Sequence, residues 1–322
     1  MDPRTFCAQS KVVVVAGKGG VGKTTVTATL ARMAAGLGLS VLIVEVEGKT
    51  GLAAAFGAEE LDYDERELAP GIRARSLTPD VALVEYLEEH GLRRLSKRLV
   101  KGGLVEVVST AAPGIKDILV LGKVKQLERN GAADLIVLDA PAAGHAVSFL
   151  TSARGLTEIV RSGPLRAQAD DVLELLTDAS RCRVMLVTLA EETPVNEVVE
   201  TAFALEDKVG VDLGPVVVNA LYPVLGGLDV DPTTVAEQAG AVLSDGDAAV
   251  LAEAAAFRAR RQDLQQDQIA RLTAALPLPQ LHLPTVFNVD LGPSDIDHLA
   301  AAMAAGIERL SAAQDRRTGV AR

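Results

Sequence analysis

The 322-residue chain has no tryptophan, and aromatic residues make up only 3% of it. Its core must therefore be aliphatic, built from valine, leucine and alanine. Cysteine is almost absent. Cys7 and Cys182 stand far apart and form neither a disulfide framework nor a metal-binding cluster, which suits a reducing cytoplasm. No run of about 18 apolar residues occurs, so no transmembrane helix is expected. Met1–Lys11 lacks the apolar centre of a signal peptide, and a soluble, unprocessed protein is expected. Positive charge is also short. Lysine and arginine number 32 against 43 aspartate and glutamate, a net charge of −11. A field of that sign repels phosphate backbones and argues against nucleic acid as a partner.

What remains is the composition of an ordinary globule, 48% hydrophobic and 23% charged. Val12–Ala16 is a β-branched apolar run, of the kind that forms a strand buried on both faces. Val41–Val46, Leu135–Leu138, Val184–Leu189 and Pro215–Val218 resemble it, and Gln280–Leu283 is a weaker sixth. Amphipathic stretches separate them. Val26, Leu30, Met33 and Leu37 recur at helical spacing, and Thr78-Pro79-Asp80 reads as a helix start. Strands alternating with helices predict an α/β fold: a doubly wound, mostly parallel sheet. Residues 72–130 and 229–276 break the alternation and read as helical. One domain, 1–322, carrying a helical insertion at about 72–130 and a second helical segment at about 229–276, is the expected division. Ala312–Arg322 is polar and expected to fray.

Gly17-Lys18-Gly19-Gly20-Val21-Gly22-Lys23-Thr24-Thr25 fits the pattern G-x-x-x-x-G-K-S/T. Glycines let backbone amides converge on phosphate oxygens. Lys23 supplies a cation for the β- and γ-phosphates, and Thr24 a hydroxyl for Mg²⁺. The helix beginning near Gly22 turns its positive end to the same anions. A strand before the loop and a helix after it are the context the motif requires. Lys18 is a second lysine within the loop. It reads either as a solvated charge or as a cation reaching the nucleotide of a facing subunit, which requires a dimer.

This lysine-bearing loop resembles the deviant Walker A of the MinD/ParA/nitrogenase-iron-protein class. Asp139-Ala140-Pro141-Ala142-Ala143-Gly144-His145, followed by Phe149-Leu150, is similar to the second switch of the arsenite-pump ATPases and of the ATPases that target tail-anchored membrane proteins. Val218-Asn219 resembles their adenine-reading pair. Pro113-Gly114-Ile115 and Thr193-Pro194-Val195-Asn196-Glu197 look like further landmarks. The resemblance spans roughly residues 11–300. It implies ATP with Mg²⁺, with Asp139 holding a magnesium-bound water and Asn219 reading the adenine edge. No guanine-reading N-K-x-D segment is present. His145 reads either as a relay of nucleotide state or as a plain polar residue at a helix start.

The sequence departs from that family in three respects. Where family members carry D-P-A-H, with an aspartate that positions the attacking water, this chain has Glu47-Gly48-Lys49-Thr50. Glu47 occupies the aspartate's place with one more methylene, and a displacement near 1 Å costs on the order of a hundredfold. At the positions of the family's zinc-binding C-x-x-C pair stand Ala252 and Ala255, so no zinc is expected. Neither cysteine matches the arsenite-binding thiols.

The leucines and valines of residues 92–127 read as a groove for a hydrophobic helix or as ordinary core. Arg93, Arg94, Lys97, Arg98 and Lys101 make a short basic face, either solvated or touching an anionic membrane. Ile296–Leu310 reads as a packing helix. Three functions follow. The first is a dimeric ATPase switch coupled to a hydrophobic client or membrane protein, as a homodimer or a heterodimer with a related ATPase. The second is a weakly hydrolysing subunit of a hetero-oligomer. The third is the energy-coupling subunit of an anion transporter. The expected location is the cytoplasm, or peripherally at the membrane.

Overall fold

A computed structural model describes residues 1–46, 51–89, 94, 114–141, 143–288 and 290–319. The six runs foreseen from sequence are all strands: β1 (Val12–Gly17), β2 (Val41–Val46), β5 (Leu135–Asp139), β6 (Cys182–Leu189), β7 (Val216–Leu221) and β8 (Gln280–Pro284). β1, β2 and β5 are buried at every position, as strands covered on both faces must be.

Two strands were not foreseen. β3 (Arg66–Ala69) and β4 (Ile72–Leu77) form an antiparallel hairpin that extends the sheet to the order β3-β4-β2-β5-β1-β6-β7-β8. The helical stretch expected from residue 72 therefore starts later, with α4 (Pro79–Glu89). The signal was present in Pro70-Gly71, a turn dipeptide whose glycine has φ +79°. Arg73 and Arg75 disguise the alternation of Ile72 and Ala74. Arg75 nevertheless goes inside, its guanidinium 4.2 Å from the centre of the Tyr63 ring.

One helical layer holds α1 (Pro3–Cys7), α2 (Lys23–Gly36), α3 (Gly51–Ala55) and α11 (Pro293–Gly319). Val26, Leu30 and Met33 of α2 meet Ile296, Leu299, Met303 and Ile307 of α11 there. Ile296–Leu310 is thus a packing segment, and its helix runs on to Gly319, past the expected start of the polar end. The opposite layer holds α5 (Ile115–Arg129), α6 (Ala143–Ile159), α7 (Pro164–Thr177) and α8 (Glu192–Lys208). Helices α9 (Pro232–Gln238) and α10 (Asp245–Ala275) fall within the second helical segment. Ser244 caps α10, accepting from the Asp247 amide. Only Gln265 and Leu272 of its 31 residues are buried. No helix among the described residues is long and apolar enough to cross a membrane.

The cysteines lie on opposite sides of the sheet, Cys182 in one core and Cys7 in the other. Burial pushes each thiol up to about 12. At neutral pH the thiolate, the reactive and metal-binding form, is then rarer than about one in ten thousand. A thiol reagent at pH 7.5 is expected to label neither cysteine in the folded protein on the timescale that labels both in denaturant. Fast labelling of the native chain would contradict this packing.

Candidate functional site

Strand β1 ends at Gly17, next to β5 on one side and β6 on the other, and the chain leaves the sheet at its carboxyl edge. In an open parallel sheet that edge is where ligands bind. Lys18–Gly22 form the loop, and Lys23 is the first residue of α2. Two glycines are required by contact. A Cβ on Gly17, at φ +156°, would drive into the Val187 carbonyl of β6. A Cβ on Gly22, at φ +89°, would collide with the side-chain amide of Asn219. Gly22 caps α2 without a side-chain bond, so the helix's first amides carry no side-chain cap. Val21 is buried and anchors the loop to the core.

The two loop lysines differ. Lys23 is 7% exposed, and its Nζ donates to the Lys18 carbonyl at 2.9 Å, which holds the ammonium within the curve of the loop. The Lys18 side chain is 40% exposed and leaves the loop. Its Nζ lies 2.9 Å from Glu197 Oε1 on α8. Thr24 and Thr25 continue the first turn of α2. The Thr24 hydroxyl donates to Asp139 Oδ2 at 2.7 Å, joining positions 115 residues apart. Asp139 closes β5 and is fully buried.

Asn219 sits in β7 and reaches across to the loop, its Nδ2 donating to the Val21 carbonyl at 3.0 Å. One N–H and the amide oxygen remain for another partner. The strand is steered immediately afterwards. Ala220 has φ +55°, and Gln265 of α10 clamps it. Gln265 Nε2 donates to the Ala220 carbonyl at 3.2 Å, and its Oε1 accepts from the Tyr222 amide at 2.9 Å. Beyond it Tyr222 stacks on Phe287 with centroids 5.7 Å apart, and Arg258 lies 4.3 Å from the Tyr222 ring centre.

Glu45 belongs to none of the sequence motifs. It lies in β2 with its Cα in register with that of Asp139, and it is 1% exposed. Val41 and Ile43 of β2, and Leu135 and Val137 of β5, pack on the α2 side. By alternation Glu45 and Asp139 share that side, level with the start of α2. A carboxylate inside an otherwise apolar run was the available signal.

Glu47, Gly48, Lys49 and Thr50 lie outside the described residues, as do Pro113, Ala142 and all of the 92–113 stretch except Arg94. His145 falls in the first turn of α6, and its side chain lies outside the described part of the structure. Phe149 and Leu150 of α6 are buried in the core.

The cradle fits a nucleotide's phosphates: glycines where side chains would collide, a buried lysine and a helix start. Thr24 and Asp139 offer hard oxygen donors already in contact, which suits Mg²⁺ completed by phosphates and water.

The family model described as "Anion-transporting ATPase" matches residues 10–163. The chain is 35% identical over 306 residues to "ATPase BagA" of Mycobacterium tuberculosis, covering 87% of this chain and 88% of that one. It is 29% identical over 176 residues to "ATPase get3" of Schizosaccharomyces japonicus, covering 51% of this chain and 52% of the other. It is 25% identical over 238 residues to a "Putative arsenical pump-driving ATPase" of Halobacterium salinarum, covering 67% of this chain and 36% of the other. Motif, sheet order and extended similarity converge, and the chain belongs to the anion-transporting ATPase family that includes the arsenical-pump and get3 proteins and is an ATP-binding ATPase.

Proposed function

We propose that this ATPase is a nucleotide-driven dimeric switch. The observation that carries the reading is the division between its loop lysines. Lys23 is buried within the loop, whereas Lys18 leaves it on a half-exposed side chain. The first suits the phosphates bound by its own chain. The second suits the phosphates of a nucleotide across a subunit boundary, where an added cation counters transition-state charge.

Glycine amides and Lys23 orient the triphosphate, and Asn219 turns its remaining amide atoms to the adenine edge. Thr24 and Asp139 would hold Mg²⁺, Asp139 through a water. Bound there, the ion would supply charge neutralisation at the phosphates. Glu47 is assigned the orientation of the attacking water. The helices between Pro79 and Arg129 transmit nucleotide state to a hydrophobic helix or membrane protein. The longer side chain at Glu47 favours one second reading, a slow subunit that gains turnover from a related ATPase.

Light scattering with the non-hydrolysable nucleotide AMP-PNP and Mg²⁺ should report a dimer for the wild type and a monomer for Lys18→Ala. Phosphate release should fall about 10²- to 10³-fold in that variant. A monomeric, fully active wild type would remove the dimer from the mechanism.

A further inference from the structure

The segment Thr193-Pro194-Val195-Asn196-Glu197 acquires a role from where it sits. It forms the start of α8, and Pro194, Glu197, Val198 and Thr201 line the seam against Gly17, Lys18 and Val21 of the loop. Across that seam the Lys18 ammonium meets the Glu197 carboxylate at 2.9 Å, with side-chain exposures of 40% and 28%. The Lys18 head group is thus engaged by its own chain, on the flank of the loop.

We propose that Glu197 is a positioning residue that holds Lys18 on α8 and sets how readily Lys18 swings to a nucleotide in a facing subunit. This deepens the dimeric-switch reading and rests on it. The chemistry is competition. A lysine has one unit of charge to offer, and a triphosphate carries more negative charge than one carboxylate. Glu197 keeps Lys18 home in the separate subunit and loses it when a facing nucleotide arrives. A half-exposed pair suits this task because it is weak. Such pairs are worth about a two- to fivefold population bias, enough to raise a threshold and too little to block the switch.

Position adds a means of control. α8 packs on α6, the helix that follows Asp139. Its opening turn is also tied to α10, through Arg261 to Glu191 at 3.4 Å and through Arg271 to Asn196. A shift of α6 with nucleotide state, or of α10 with a partner, therefore moves Glu197 relative to Lys18.

The test is steady-state phosphate release by the full chain, measured against protein concentration with Mg-ATP saturating. Glu197→Gln removes the charge and keeps the shape. The protein concentration at half-maximal rate should fall about two- to fivefold. Glu197→Asp, with its charge retained on a shorter arm, should lie between variant and wild type. The difference should close as salt approaches 1 M, where the screening length is about 3 Å. In a Lys18→Ala background Glu197→Gln should leave the residual rate of phosphate release where Lys18→Ala alone puts it. A half-maximal concentration unchanged or raised by Glu197→Gln overturns the proposal, and so does a Glu197→Gln gain in rate that persists without Lys18. The parent reading fails separately: its mark is a Lys18→Ala protein whose rate and concentration dependence match the wild type. Loss of activity in Lys18→Ala with no shift in Glu197→Gln removes only the holding role.

Discussion

Lys23→Ala should lose ATP hydrolysis by roughly 10³-fold or more. The size follows from where the ammonium already is. At 7% exposure it has surrendered most of its water, and its bond to the Lys18 carbonyl fixes it within the loop before any nucleotide enters. A cation fixed in advance in a water-poor site spends little reorganisation energy when charge builds on the transferred phosphoryl group, and the field there is weakly screened. Alanine removes that charge from the loop and strips the Lys18 carbonyl of this donor. Arginine is no rescue, because a planar fork does not occupy the place of a compact ammonium. Lys23→Arg should be nearly as inactive. Phosphate release at saturating ATP gives the rate, calorimetry gives nucleotide affinity, and a thermal midpoint near that of the wild type shows that the sheet is intact. Hydrolysis that survives in a folded Lys23→Ala protein would place the chemistry elsewhere.

The parts of this site that could be read from sequence are those whose neighbours in space are neighbours in the chain. Val12–Gly17, the loop and the first turn of α2 form one continuous segment, so strand, turn and helix signals reinforce one another. The central strands were equally plain, because burial on both faces demands unbroken valine and isoleucine. β4 was not. Its arginines look solvated in sequence, and they are absorbed by partners the pattern does not show, Tyr63 beneath Arg75 and Glu65 beside Arg73. Gln265 looks like one more polar residue of an exposed helix, and only the fold shows it clamping the chain beyond Asn219. Lys18 and Glu197 sit in different motifs, and no local pattern pairs them. Glu45 was lost for the opposite reason: the strand pattern around it was so strong that one carboxylate did not interrupt it.

Asp139→Asn should separate catalysis from stability. Asp139 holds the Thr24 hydroxyl at 2.7 Å, and its backbone neighbour across the sheet is Glu45, a second buried carboxylate on the same side. A buried carboxylate that accepts from the threonine of the phosphate loop is placed to favour a cation there. Asparagine keeps the shape and an oxygen able to accept from Thr24, and it removes the carboxylate. Hydrolysis should therefore drop about 10²- to 10³-fold, with the Mg²⁺ concentration for half-maximal rate moved upward. The nucleotide-free protein should melt at the same temperature as the wild type or slightly higher, as happens when a residue kept for function at the expense of stability is replaced. The two measurements work as a pair. A variant that loses activity and also melts well below the wild type would mark Asp139 as a structural strand end. One that keeps its activity and its Mg²⁺ dependence would remove this carboxylate from the cation's site. Loss of activity at undiminished stability is the outcome expected of a carboxylate whose burial serves the phosphate loop rather than the sheet that carries it.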